Sequence, residues 1–201
     1  MIFNTEEQII INRYHNDELV WNDDELKSIR DNIKEALKTM WTEQCCYCKR
    51  GMEDEFKMVI DIEHILPKSL FKILTFELDN LNLSCKRCNM KIKKERIDFL
   101  IDEENALDKF RDKDNYKFIH PNLDIYVDNL HYINLVVNDK KFIKYLSKTD
   151  KGKFNYEYFH LDMIERSTLN LAQGIEDNLE YNNENIPIEI FEELIDILKN
   201  I

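Results

Sequence analysis

Apolar residues recur every three or four positions in the stretch after residue 22, as they do on one face of an α-helix. The stripe consists of Leu26, Ile29, Ile33, Ala36, Leu37 and Met40. Asn22 or Asp23 can cap this helix, because a short polar side chain accepts a hydrogen bond from a free amide of the first turn. The pattern predicts a helix that buries one face within an N-terminal helical segment, residues 1–41.

The next stretch has the pattern of a strand, a loop, a second strand and a helix. Residues 58–62 are mostly β-branched or apolar and predict a strand that ends in a Glu-His pair. Pro67 then interrupts any strand ladder. Residues 81–84 alternate apolar and polar side chains, as a half-buried strand does. Basic and apolar residues are interleaved after Lys86, which predicts a helix that starts near Cys88.

The rest of the chain predicts helices and a small β-hairpin. Two β-rich stretches, 132–137 and 141–145, are separated by a polar Asn-Asp-Lys turn. Further predicted elements are helices at 97–110, 163–178 and 188–198 and a short strand at 158–161. The expected fold class is therefore α+β, with a ββα core at 42–100 and a helical and hairpin region at 101–201.

Four of the five cysteines form two Cys-x-x-Cys pairs, about forty residues apart. They are Cys45, Cys48, Cys85 and Cys88. Four thiolates at this spacing suit a tetrahedral structural zinc ion. Cys46 is left over as an ordinary thiol, although it could replace Cys45 as a ligand. Metal binding fits a reducing compartment better than disulfides do, and we expect the cytoplasm of a bacterium.

Three landmarks within this core resemble the HNH (His-Me finger) endonucleases. They are Glu63-His64 followed by Pro67, then Asn80-Leu81, and then Cys85-x-x-Cys88-Asn89. The third named position is asparagine here, so the chain is similar to the H-N-N variant. Many members also have a lysine three residues after the last ligand, where this chain has Ile92. The resemblance covers about a quarter of the chain and implies a ββα-metal core.

The resemblance also implies the roles of four residues. His64 is expected to be the general base that takes a proton from the attacking water, with Asn80 as its hydrogen-bond partner. Glu63 and Asn89 are expected to bind one divalent cation, Mg²⁺ or Mn²⁺, through oxygen atoms. Asn82 is an alternative to Asn80, and either could simply cap a turn; the spacing to Asn89 favours Asn80.

The charge distribution is unusual for a DNA-binding protein. The net charge is −12, whereas phosphate contacts require Lys and Arg. One local exception lies beside the predicted site, where residues 86–96 contain six basic residues and one acidic residue. The residues expected to bind the DNA substrate are Lys86, Arg87, Lys91, Lys93 and Lys94. From Glu176 onward eight acidic residues face one lysine, which predicts an acidic C-terminal region and a need for a protein partner.

A second resemblance concerns the order of the parts. The stretches Glu63–Lys68 and His120–Asp124 resemble the nuclease subunits of Septu-type and retron-linked antiphage systems, in which a Glu-His-x-x-Pro-Lys core precedes an Asp- and Pro-bearing link. This resemblance implies a defence complex with an ATPase subunit that docks on the C-terminal region. No secretory signal or membrane span is expected. A non-catalytic zinc-ribbon adaptor is the alternative function.

Overall fold

The computed structural model describes residues 3–41, 44–51, 60–137 and 140–165. These residues divide into two compact units at the bond between Ile125 and Tyr126. The segments predicted from the sequence, 1–41, 42–100 and 101–201, stay a prediction. Within the described ranges, no helix is long and apolar enough to cross a membrane.

Two helices form the N-terminal part of the first unit. Helix α1 is Thr5–His15, and Asn4 and Glu7 form a capping box at its start. Helix α2 is Lys27–Met40 and follows a 3₁₀ turn at Asp24–Leu26. The predicted apolar stripe is confirmed at Leu26, Ile29, Ile33 and Leu37, which are all fully buried. Ala36 is half-buried, and Met40, the last residue of the helix, is 53% exposed, so the buried face ends before the helix does. The Glu7 carboxylate accepts hydrogen bonds from Ser28 and Asn32, which joins the two helices.

The predicted β-β-helix core is present. Strands β1, Ile60–His64, and β2, Leu81–Cys85, are antiparallel, with Ile60 opposite Cys85 and His64 opposite Leu81. Residues 58 and 59 of the predicted first strand lie outside the described residues. The helix after β2, Arg87–Lys93, is a π-helix, so its side chains are spaced differently from those of an α-helix.

The helix predicted at 97–110 is wrong. The backbone there turns instead and bonds across to a later segment, because Leu100 pairs with Tyr116 and the Lys117 amide donates to the Phe99 carbonyl, 2.8 Å. Phe99, Tyr116 and Phe118 pack against one another in the interior. The aromatic side chains of this stretch therefore stabilise a returning loop rather than a helix face.

The second unit contains the predicted hairpin. Strands β3, Leu130–Val137, and β4, Lys140–Ser147, pair antiparallel after the short helix α3, Tyr126–Asn129. Residues 138 and 139 of its turn lie outside the described residues. Helix α4, Asp150–Tyr158, follows, and the backbone turns at residues 159–161, so the short strand predicted at 158–161 is wrong. The helix predicted at 163–178 lies almost wholly, and that at 188–198 entirely, outside the described residues.

Candidate functional site

The four predicted zinc ligands come together in the first unit. Cys45 and Cys48 lie in the 44–51 loop, Cys85 ends β2, and Cys88 lies in the π-helix. Their sulfur atoms all lie within 4.8 Å of one another and are buried, and Cys48 Sγ is 3.9 Å from Cys85 Sγ. Sulfurs bound at about 2.3 Å around one tetrahedral zinc lie about 3.8 Å apart. The cluster therefore fits a structural zinc ion.

Cys46 is not part of this cluster, although its thiol is also buried. Its backbone amide donates to the carbonyl of Leu83 in β2, 2.9 Å. This bond attaches the 44–51 loop to the strand, so the zinc cluster and the two-stranded sheet form one structure. Cys46 is thus the spare thiol that the spacing predicted.

His64 is the last residue of β1, and its ring is held from two sides. Its Nε2 lies 3.1 Å from the Thr75 carbonyl oxygen, and Trp21 packs edge-on against the ring with centroids 4.8 Å apart. A carbonyl can only accept, so Nε2 carries the proton and Nδ1 keeps a free lone pair. Burial and the nearby Lys68 charge lower the pKa of His64 to about 3. The imidazole is therefore neutral at physiological pH.

Asn80 does not contact His64 in the way that the sequence predicted. Its side chain is buried and holds the loop between the strands: Oδ1 accepts from the Leu66 amide, 2.7 Å, and Nδ2 donates to the Leu66 and Leu74 carbonyls, 3.1 and 3.2 Å. The direct partner of the His64 ring is Thr75, the residue after Leu74. Asn80 thus holds the loop on which Thr75 lies, and its described side-chain hydrogen bonds do not include one to the His64 ring.

Glu63 lies in the interior, where three groups surround its carboxylate. The Lys93 ammonium lies 2.8 Å from Oε1, the Tyr47 hydroxyl donates to the same oxygen at 3.0 Å, and the Ser84 hydroxyl donates to Oε2 at 3.3 Å. Burial raises the pKa of Tyr47, so its hydroxyl stays protonated and can donate. The structure does not bring Glu63 and Asn89 together in one open site. Their predicted role as joint cation ligands stays a prediction.

Lys93 is likewise in the interior and not on a DNA-facing surface. Its side chain is 1% exposed, and its ammonium also donates to the His64 carbonyl oxygen, 2.9 Å. It lies four residues after Asn89, at the end of the π-helix. The structure therefore places Lys93 as the counter-ion of Glu63.

A cavity of about 320 Å³ opens beside His64 and Asn89. Its charged and polar lining includes Lys68, Ser69, Lys94 and Glu95. Of the basic residues predicted to bind substrate, Lys94 lines this cavity. Lys86 and Lys91 are exposed outside it, and Arg87 is half-buried with its guanidinium 3.9 Å from Cys88 Sγ.

Three residues at this site were not singled out from the sequence. Trp21, between α1 and α2, and Thr75, in the inter-strand loop, hold His64 through tertiary contacts that no local pattern indicates. Lys68 follows Pro67 directly and lies four residues after His64. This short spacing could have indicated, from the sequence, that Lys68 lies near His64. Its ammonium lies over the Trp21 ring, 5.6 Å from the centroid, and burial lowers its pKa.

Comparison with known proteins gives two matches. Residues 45–95 match the family model described as HNH endonuclease. The chain is also similar to the Septu protein PtuB of Bacillus thuringiensis, with 28% identity over 134 residues. That alignment covers 67% of this chain and 42% of PtuB, so the chain spans less than half the length of this relative. No solved structure matches the chain significantly.

Proposed function

We propose that this chain, a nuclease by virtue of its HNH endonuclease domain at residues 45–95, hydrolyses phosphodiester bonds in DNA with His64 as the general base. One observation carries the proposal. A neutral imidazole with a free Nδ1 lone pair lines a cavity that also contains two lysines, Lys68 and Lys94. A base that takes a proton from water and cations that contact phosphate oxygens both favour phosphodiester hydrolysis.

The chemistry can be written from these side chains. Nδ1 of His64 takes a proton from a water molecule, whose oxygen attacks phosphorus, and the bond from phosphorus to the 3′ oxygen breaks. Solvent supplies the proton that the leaving oxygen takes up. Lys68 and Lys94 contact the phosphate oxygens, while Glu95 limits the positive charge of the cavity. Thr75 and Trp21 keep the imidazole in the orientation that leaves Nδ1 free.

Two separate groups of residues could each hold a metal ion. The four-cysteine cluster fits zinc as it stands. For the divalent cation of the HNH domain we propose Mg²⁺ or Mn²⁺, and Asn89 lines the cavity where its amide oxygen could be a ligand. When bound, such a cation neutralises charge on the scissile phosphate. Glu63 can contribute only if the Lys93 ammonium leaves its carboxylate.

The charge of the chain supports a partner. A net charge of −12 opposes DNA binding by the chain alone, apart from its few cavity lysines. The similarity to a Septu protein supports a role as effector subunit of a bacterial antiphage complex. We propose that an ATPase subunit holds the chain near DNA. The acidic C-terminal region, predicted as its docking surface, lies outside the described residues.

A plasmid-cleavage assay tests the proposal. The full chain, alone and with the proteins that co-purify with it, is incubated with supercoiled DNA and Mg²⁺, Mn²⁺ or a chelator. Nicking or linearisation should need the divalent cation and should disappear in His64→Ala. His131→Ala is the matched control, because His131 is exposed in the second unit. Cleavage that persists in His64→Ala refutes the assignment of the base.

A further inference from the structure

Residues 120–124, called here the 120–124 turn, fold into a compact loop outside the HNH-matched segment. The Leu123 and Asp124 amides both donate to the His120 carbonyl, 3.3 and 3.1 Å, and the His120 amide donates to the Asp124 carboxylate, 2.8 Å. Nδ1 of His120, whose ring is buried, accepts from the Asn122 amide, 3.2 Å. These bonds fix the backbone of Asn122 and the direction of its side chain.

The Asn122 side chain contacts the backbone on both sides of Asn80. Its Nδ2 donates to the Asp79 and Leu81 carbonyls, 2.9 and 3.0 Å, with Leu78 O at 3.4 Å. Its Oδ1 accepts from Nδ2 of Asn82, 2.6 Å. Both ends of one amide are therefore used on the segment that carries Asn80.

From Asn80 the contacts continue to His64. The Asn80 carbonyl accepts from the Ile65 amide, 2.9 Å, and its side chain holds the Leu66 amide and the Leu74 carbonyl. Thr75 follows Leu74 and provides the carbonyl that orients the His64 ring. Hydrogen bonds joined by short stretches of backbone thus link Asn122 to the residues on either side of Asn80, Asn80 to Leu74, and Thr75 to His64.

We propose that Asn122 is a positioning residue for His64, acting through Asn80 and the inter-strand loop. The inference rests on the proposed nuclease function and adds a residue from outside the HNH-matched residues 45–95. The 120–124 turn belongs to the same compact unit as the site.

Asn122→Asp is the sharpest test, because it keeps the shape of the side chain and removes both amide hydrogens. A carboxylate would then face two carbonyl oxygens, which disfavours the contact and releases the 78–81 segment. Displacement of a catalytic group by about 1 Å costs on the order of 100-fold in rate. We expect kcat for plasmid cleavage to fall by about 10- to 100-fold, with KM changed less than about twofold.

The matched control is Asn105→Asp, which makes the same charge change in the same unit. Asn105 is exposed and bonds only to Asp102 among the contacts described for its side chain. Its kcat should equal that of the wild type. Asn122→Gln, which restores the amide hydrogens on a longer side chain, should recover part of the lost kcat.

Residue-resolved hydrogen exchange gives a readout that does not depend on activity. In Asn122→Asp the Leu66 and Ile65 amides should exchange at least about tenfold faster. The Cys46 amide, bonded to Leu83 beside the zinc cluster, should keep its wild-type rate. Faster exchange at all three amides would mean general destabilisation and would overturn the proposal, as would an unfolded Asn122→Gln protein.

The results distinguish a failure of the positioning role of Asn122 from a failure of the proposed nuclease function. Unchanged kcat in Asn122→Asp, or reduced kcat with normal exchange at Leu66, overturns the positioning role. If the wild type does not cleave DNA under any condition, or His64→Ala cleaves normally, the proposed function fails. The exchange measurement still decides whether Asn122 controls the loop that holds His64.

Discussion

The buried pair of Glu63 and Lys93 gives the most direct prediction of stability. Lys93→Met keeps an unbranched chain of similar length and removes the ammonium, which lies 2.8 Å from Glu63 and 2.9 Å from the His64 carbonyl. Both side chains are essentially unexposed, at 1% and 0%. Phe99 also packs beneath the ammonium, 5.7 Å from its ring centroid.

The loss of stability in Lys93→Met follows from the contacts that the Glu63 carboxylate keeps and the one that it loses. Glu63 keeps its hydrogen bonds from Tyr47 and Ser84 but loses its only described counter-ion. Removing one partner of a buried ion pair costs about 3–5 kcal/mol. That loss is a large part of the roughly 5–15 kcal/mol by which domains of this size are stable. The double variant Glu63→Gln/Lys93→Met should recover about 2 kcal/mol or more, because no charge is then buried alone.

Urea denaturation at fixed free zinc measures these differences, with the m-value checked for each variant. Lys91→Met is the matched control, since Lys91 is an exposed lysine of the same π-helix. Its free energy of unfolding should change by less than about 0.5 kcal/mol. A Lys93→Met protein as stable as the wild type, or a double variant weaker than Lys93→Met, would refute the reasoning about the pair.

Three further predictions concern zinc, substrate and pH. Elemental analysis should find one zinc per chain, and Cys85→Ser should lose the metal and unfold the first unit, since zinc binding contributes folding free energy; a folded, zinc-free variant would contradict this. Lys68→Ala removes a cavity lysine. A plot of log affinity for DNA against log salt concentration should therefore become less steep by about 1. Lys91→Ala, outside the cavity, should reduce the steepness less. Burial holds the pKa of His64 at about 3 in the folded protein, whereas it is about 6.5 in the unfolded chain. The unfolded chain therefore binds a proton at His64 more readily, and protonation of His64 favours unfolding. The free energy of unfolding should therefore decrease as pH falls from 6.5 towards 3, and His64→Gln should show a shallower decrease in the same titration.

The sequence alone determined the features that depend on local spacing. Two residues between paired cysteines are enough to place both sulfurs on one metal, so the four-cysteine cluster was predictable. The stripe of Leu26, Ile29, Ile33 and Leu37 fixed α2, and the alternation before and after residue 138 fixed the hairpin. The two strands and the helix of the core also follow from periodicity.

Other features depend on contacts between distant residues and were decided only by the tertiary structure. The predicted helix at 97–110 is instead a loop, because the backbone of Leu100 forms an antiparallel β-bridge with that of Tyr116. Sequence spacing could not show that the helix after β2 is wide enough to turn Lys93 towards Glu63.

The surroundings of His64 illustrate the same division. Its role as the candidate base was implied by the resemblance of the Glu63-His64, Asn80 and Asn89 landmarks to the HNH endonucleases. Its orientation depends on Thr75 and Trp21, which lie 11 residues after it and 43 residues before it. Hydrogen-bond direction and burial depend on how separate segments pack, and local sequence spacing does not specify that packing.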